Sequence, residues 1–163
     1  MGTAPTSDEA IAPDGPWAPE LVDLYRQRWE PMVRVATVLL GVRAEAEEVV
    51  QDAFAALATR WSTVEHPPAY LRRSVVNGAT GLLRKRRTAE SHPVDPPPEE
   101  APAQLVELRD LLLGLPERQR AVLVLRYVED LTDDEIAETL GCRRSTVRSL
   151  AARGLAAIRR ELT

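Results

Sequence analysis

The residues of this chain best suited to chemistry are cationic side chains, and they occur in two clusters. One cluster comprises Arg72, Arg73, Arg84, Lys85, Arg86 and Arg87. The other comprises Arg143, Arg144, Arg148, Arg153, Arg159 and Arg160. A guanidinium group can bind phosphate oxygens or a guanine edge through paired hydrogen bonds. The clusters therefore indicate two nucleic-acid surfaces, although the net charge of -4 taken alone argues mildly against such a ligand.

Acidic residues form separate groups ahead of these clusters. The group before the first cluster contains Glu45, Glu47, Glu48 and Asp52. The group before the second contains Asp130, Asp133, Asp134 and Glu135. Separate regions of opposite charge predict separate partners, rather than one uniformly charged surface.

A helix-turn-helix is the clearest motif. Thr132 and Glu135 have capping-box spacing, which predicts a helix start, and Gly141 can close that helix in the left-handed conformation. In the next helix Val147, Leu150 and Leu155 are spaced to face a core. Its exposed face would carry Arg144, Ser145, Arg148, Ser149 and Ala152, with Arg153 beside it. Guanidinium forks and short hydroxyls favour major-groove reading, whereas Arg159 and Arg160 fit a merely solvated surface.

Signs of an enzyme are missing from the sequence. His66 and His92 both adjoin prolines, there is no glycine-rich phosphate loop, and the lone Cys142 provides neither a disulfide nor a metal cluster. We therefore expect no catalytic residues, cofactor, metal or small-molecule substrate. No apolar run of membrane-spanning length and no export signal are visible, so no membrane association and a cytoplasmic location are expected.

Two proline-rich stretches divide the elements that must position these residues. We expect a disordered tail over 1–19 and a flexible, extended linker over 88–104, because proline donates no backbone hydrogen bond. The remaining segments, 20–87 and 105–163, have helical apolar spacing. The predicted fold class is all-α, with two small helical domains.

Helix boundaries can be predicted within both modules. In the first, Pro31 should start a new helix or kink the one before it, a second helix should span about 44–61, and Pro67 should begin a third that runs into the basic cluster. In the second module, Gly114 should end a helix that starts near Leu105. Pro116 should then start a helix that continues to about residue 127.

These motifs resemble the extracytoplasmic-function (ECF) group of sigma-70 family RNA polymerase sigma factors, in particular a SigE-like branch common in actinobacteria. Region 4 of that group is similar to LPERQRAVLVLRY at 115–127 and to the helix-turn-helix that follows. Region 2.2 resembles AEEVVQDAF at 46–54, and regions 2.3 and 2.4 resemble PAYLRRSVVN at 68–77 with RKRR at 84–87. The resemblance covers about residues 20–163 in family order.

The resemblance implies a partner for each surface. Binding to the beta-prime clamp helices of core polymerase would fall to Glu47, Glu48, Gln51 and Asp52. Binding to the -10 element during strand separation would fall to Arg72, Arg73, Asn77, Arg84, Lys85, Arg86 and Arg87. Reading of the -35 element would fall to Arg143, Arg144, Ser145, Thr146, Arg148, Ser149 and Arg153. The function implied is promoter recognition, DNA melting and transcription initiation by a specificity subunit that is not itself an enzyme.

Smaller features allow two interpretations. Leu111, Leu112 and Leu115 could form a patch facing the beta flap of polymerase, but core packing is favoured for each. Trp61 and Tyr70 could stack on bases, and core packing is again favoured. Whether an anti-sigma protein binds the chain is left open by the sequence.

Several residues depart from the family pattern. The family often has serine or proline at the position of Arg143, glycine at Ser145, and an aromatic residue near Leu82 or Leu83. Promoter preference is expected to differ accordingly. The recognition helix is also expected to be capped differently, with Ser145 as the candidate cap.

Two other functions compete with the sigma-factor interpretation. A LuxR-like transcription factor would bind DNA as a dimer without polymerase, but the acidic and basic helices of residues 44–87 argue against it. A degenerate sigma-like scaffold would bind a partner protein without initiating transcription. The sequence does not exclude this second alternative.

Overall fold

The computed structural model describes residues 11–12, 15–86 and 93–162. The helices in these ranges are α1 (Pro19–Leu40), α2 (Arg43–Thr59), α3 (Pro67–Arg86), α4 (Ala103–Leu113), α5 (Glu117–Tyr127), α6 (Asp133–Leu140) and α7 (Arg144–Leu162). Strands β1 (Ile11–Ala12) and β2 (Gly15–Pro16) form a short antiparallel pair, with Ile11 opposite Pro16. The all-α prediction is confirmed apart from this pair. No helix among the described residues has the length and apolar character needed to cross a membrane.

The first module is a three-helix bundle in which α1, α2 and α3 all pack against one another. Its core contains Trp29, Met32, Leu39, Phe54 and Leu71. Of the two alternatives predicted at Pro31, a new helix or a kink, the new helix is wrong, because α1 continues through this residue. Burial of Met32 and Val33, directly after the proline, offsets the hydrogen bond that proline cannot donate.

Ordered packing begins before the predicted start of this module. The Trp17 ring lies 5.7 Å from the Tyr25 ring and 6.3 Å from the Phe54 ring, measured between centroids. Apolar contact of this kind stabilises an ordered position. The predicted disordered tail therefore needs correction at Trp17, while residues 1–10 and 13–14 lie outside the described part of the chain.

The second module consists of α4 to α7, with α7 packed against α5 and α6. Pro116 is the N-cap of α5, as its position in the sequence predicts. Gly154 allows α7 to approach α5 closely, because a Cβ at this position would lie 3.0 Å from Leu123 Cδ1. Gly154 thus lets α7 lie directly against α5.

The two modules are packed against each other. Helix α1 contacts α4 and α5, α3 contacts α5 and α6, and the buried apolar residues of both modules form one cluster. The described part of the predicted linker shares in this packing. The amide of Asp95 donates to the Gly41 carbonyl over 2.8 Å, and its carboxylate accepts from the Arg43 amide over 2.8 Å. Val94 and Asp95 are thus docked rather than free, which corrects the prediction of a flexible linker at these two residues.

Candidate nucleic-acid interface

The turn between α6 and α7 is built as the sequence predicts. The Glu135 amide donates to Thr132 Oγ1 over 3.2 Å, and Glu135 Oε1 accepts from the Thr132 amide over 3.1 Å, which completes the capping box. This backbone hydrogen bond lowers the pKa of Glu135. Gly141 has a φ of 64°, in the left-handed region that glycine tolerates. The two helices of the motif are therefore held at a defined turn.

Helix α7 buries one side and exposes the side predicted to read DNA. Val147 and Ala151 are buried, and Leu150 and Leu155 pack against the core. The exposed predicted residues are Arg143, Arg144, Ser145, Arg148, Ser149 and Arg153. Thr146 is half-buried. The proposed capping role of Ser145 is wrong, because α7 already begins at Arg144.

The first turn of α6 places carboxylates next to the arginines of α7. Asp133 forms an ion pair with Arg126 of α5 and lies 3.7 Å from the Arg148 Nε atom. Asp134 lies 3.7 Å from Arg144. The hydrogen bond from Arg126 lowers the pKa of Asp133, and the positive charges of Arg126, Arg148 and Arg144 add to the effect. Asp133 therefore remains ionised and connects three helices of the second module.

The basic residues of α3 are in a different situation from those of α7. Arg73 lies 3.6 Å from Glu138 of α6, and Arg84 lies 4.0 Å from Glu117 of α5. Arg86 forms an ion pair with Glu45, donates to the Leu40 carbonyl over 3.3 Å, and is almost fully buried. In this arrangement Arg73, Arg84 and Arg86 have protein partners where phosphates were predicted.

The remaining predicted -10 residues are spread along α3. Arg72 is half-buried at the start of the helix, beside a cleft whose other wall includes Glu135 and Glu138. Asn77 and Lys85 line a groove between α2 and α3. Arg87 lies outside the described residues. The structure therefore does not gather the predicted -10 residues into one open surface.

The acidic face of α2 contains three of its four predicted residues. Glu48, Gln51 and Asp52 are exposed, and Glu48 and Asp52 line the same groove as Asn77. Glu47 is only 3% exposed and accepts a hydrogen bond from Arg43 over 3.0 Å. Glu47 is therefore part of the internal packing of this module, and its inclusion in an exposed polymerase-binding set is corrected.

The structure also shows the burial of the apolar residues that were predicted either to pack in the core or to contact a partner. Leu115 is buried, and Leu112 packs against the core, which supports the favoured core interpretation for these two residues. The exposed apolar residues of α4 are instead Leu105, at 60%, and Leu108, at 44%. Their i, i+3 spacing was the available signal. Trp61 and Tyr70 pack against the core, as favoured.

Arg120 is the most informative residue that the sequence analysis missed. It lies on α5, is 7% exposed, and donates to the carbonyls of Leu39, Leu113 and Leu115. Burial lowers its pKa, as does the nearby charge of Arg86. Its position directly before the apolar run 121–125 was the only signal in the sequence. A second missed contact is the 2.8 Å ion pair between Arg28 and Glu129, which also joins the two modules.

No group of His, Cys, Asp and Glu within the described ranges is arranged to hold a metal ion. Cys142 is a free, half-buried cysteine in the turn before α7. The chemistry of the site is therefore that of guanidinium, hydroxyl and carboxylate groups on helix surfaces. The guanidinium and hydroxyl groups can bind and orient polyanions, and the carboxylates pair with the guanidinium groups.

Comparisons with known proteins agree with this geometry. Residues 105–158 match the family model described as sigma-70, region 4. The chain is 35% identical to the RNA polymerase sigma-E factor of Streptomyces coelicolor over 88% of its own length and 86% of the relative. It is 30% identical to the ECF RNA polymerase sigma factor SigE of Mycolicibacterium smegmatis, over 91% of this chain and 62% of that relative.

A solved structure shares the fold. The sigma factor RpoE, crystallised with the anti-sigma factor NepR from Bartonella quintana, superimposes with a TM-score of 0.75 at 18% identity. The superposition covers 89% of this chain and 98% of that one. The common fold includes helices of both modules.

Proposed function

This chain belongs to the extracytoplasmic-function group of RNA polymerase sigma factors, and from this membership we propose that it recognises promoters through two separate cationic surfaces. Sigma factors are specificity subunits of RNA polymerase that act in promoter recognition and transcription initiation. Catalysis belongs to the polymerase. The proposal concerns which residues of this chain perform each part of that task.

The exposed face of α7 is the observation that carries the proposal. Arg144 and Arg148 stand one turn apart on a helix whose opposite side is buried, and Ser145 and Ser149 lie between and beside them. Short hydroxyl side chains let a helix approach the major groove, and arginine reads guanine. We assign this face to the -35 element.

The cationic side chains of α3 are assigned to the -10 element. Opening a duplex costs a few kcal/mol for each unstacked step, which contacts to the separated strand must offset. Asn77 and Lys85 line the groove between α2 and α3, and Arg84 is exposed beside it. These side chains can donate to phosphates and to an unpaired base, which supports a role in DNA melting.

Polymerase contact is assigned to Glu48, Gln51 and Asp52 on α2. Their exposed carboxylates and amide can pair with basic side chains of the beta-prime clamp helices. Glu47 is left out because Arg43 already pairs with it. The exposed Leu105 and Leu108 of α4 replace Leu111, Leu112 and Leu115 as the proposed apolar contact for the beta flap.

An anti-sigma protein is proposed as a further partner. The RpoE structure that shares this fold is described as a complex with the anti-sigma factor NepR. The exposed apolar side chains of α4 are suitable for such a protein as well as for polymerase, because an exposed apolar patch favours protein contact.

Transcription in vitro tests the proposal. The purified chain would be added to core polymerase from Streptomyces coelicolor with a pool of genomic promoter fragments, and transcripts would be sequenced. We expect a defined subset of promoters to be transcribed, and the Glu48→Lys/Asp52→Lys variant to lose this activity. A chain that binds core but supports no transcription would instead be a scaffold. The matched control is Glu99→Lys/Glu100→Lys, which makes the same charge change in the exposed linker.

A further inference from the structure

Asp133 of α6 lies between an arginine of α5 and an arginine of α7. One carboxylate oxygen pairs with Arg126 of α5, and the other lies 3.7 Å from the Nε atom of Arg148. The side chains of Asp133 and Arg126 are both about three-quarters buried, whereas that of Arg148 is 63% exposed. A fixed, partly buried ion pair thus faces the flexible arginine assigned to DNA.

We infer that Asp133, held by Arg126, is a positioning residue that aims Arg148 at one base pair. Arginine has many rotamers, and ordering it costs conformational free energy when it binds. A carboxylate that forms an ion pair on the Nε side leaves the two terminal nitrogens of the guanidinium free to form a fork with guanine. A functional side chain gains accuracy when a neighbour with fixed geometry holds it. This inference rests on the proposed function of α7.

The Asp133 carboxylate should increase sequence preference but decrease the overall affinity for DNA. Its negative charge repels phosphates, so its removal should strengthen binding to DNA of any sequence while weakening the preference at one position. A purely structural role would weaken binding to all sequences together. The two roles therefore predict different results for the same variant.

The test uses holoenzyme assembled from the full chain and core polymerase, with a duplex library randomised across the -35 element. For Asp133→Asn we expect several-fold loss of preference at the base pair that Arg148→Ala also affects, with equal or tighter binding to other sequences. The double variant should match Arg148→Ala at that position. Asp134→Asn is the control, because Asp134 lies at 3.7 Å from Arg144 and is 75% exposed.

Two results would overturn the positioning role: an unchanged preference profile in Asp133→Asn, or a uniform loss for all sequences. Asp133→Glu should restore part of the preference, because it keeps the charge. If wild-type holoenzyme shows no -35 preference at all, the proposed function of α7 fails instead. The experiment therefore distinguishes failure of the positioning role from failure of the proposed function of α7.

Discussion

The arginines of α7 and those of α3 differ in which module neutralises them. Arg144 and Arg148 face carboxylates of their own helix-turn-helix, at 3.7 Å, and remain exposed. Arg73 and Arg84 face carboxylates of the other module. The ion pairs of α7 therefore lie within one module, whereas those of Arg73 and Arg84 exist only while the two modules are packed together.

Acidic residues near α6 explain this difference. The carboxylates of its first turn are favourable there because they lie at the positive end of the helix dipole, and from that position Asp133 and Asp134 reach α7. Glu138, one turn later, points to α3. One short helix thus supplies counter-charges to both surfaces. Exposed ion pairs contribute only about 0 to 1 kcal/mol each, so DNA phosphates can replace them.

The largest expected effect comes from damaging the core beneath the α7 surface. Ile136→Ala removes a side chain that is 0% exposed, at a cost of about 2 to 5 kcal/mol in the free energy of unfolding. All three tryptophans, at 17, 29 and 61, belong to the first module. Because the modules share a core, the urea midpoint followed by tryptophan fluorescence should fall although the substitution is in the second module.

The control for this prediction is Ile136→Val, which should cost about 0.5 to 1.5 kcal/mol. Circular dichroism would follow the helices of both modules in the same samples. If the dichroism transition moves and the tryptophan transition does not, the modules unfold separately.

A smaller loss is expected from the α7 surface itself. Arg148→Ala should weaken promoter preference at one -35 base pair by roughly 1 to 3 kcal/mol, the value of a good base contact. Competition binding of holoenzyme to duplexes that differ at single positions measures this preference. Arg159→Ala, on the exposed end of the same helix, is the matched control and should change no position selectively. Equal behaviour of the two variants would place Arg148 in solvent.

The helix-turn-helix was predictable because its signals are local. The capping box at Thr132, the turn at Gly141 and the apolar spacing from Val147 each involve residues within one or two turns of helix. Local hydrogen bonds and helical period determine such features regardless of the distant chain. The exposed face of α7 followed directly from them.

The contact between the two modules was not predictable, because the residues that form it are far apart along the chain. Arg120 and Leu39 are 81 residues apart, and Arg28 and Glu129 are 101 apart. Charge patterns show that such residues exist but not which ones meet. Glu47 was assigned to the exposed face for a different reason. Helical period places it beside Arg43, four residues earlier, but does not show that this side of α2 is buried. Tertiary packing likewise continued α1 through Pro31.

DNA binding by the arginines of α3 should depend more on salt concentration than on the -10 sequence. Arg84→Gln should reduce the dependence of log affinity on log salt concentration by about one unit for holoenzyme on promoter DNA, the effect of one lost phosphate contact. The loss should be similar for different -10 sequences. Arg60→Gln, exposed at the end of α2 and outside the predicted set, is the control. An unchanged slope for Arg84→Gln would mean that its only partner is Glu117.

The smallest expected effect is the acid dependence of the pair that supports α7. Arg126 lowers the pKa of Asp133, so the pair stabilises the folded state above the usual aspartate value of 3.8, and this contribution is lost as the pH falls further through the folded-state pKa. Urea unfolding from pH 6 to pH 2 should show Asp133→Asn less stable than wild type by about 0.2 to 1 kcal/mol at the upper end. The difference should shrink toward zero at the lower end. Asp134→Asn, at a mostly exposed carboxylate, should change this pH profile less. If both variants follow the wild-type profile, Asp133 has no stronger hold on α7 than Asp134 has, and the arginines of α7 are as loosely held as any on the surface.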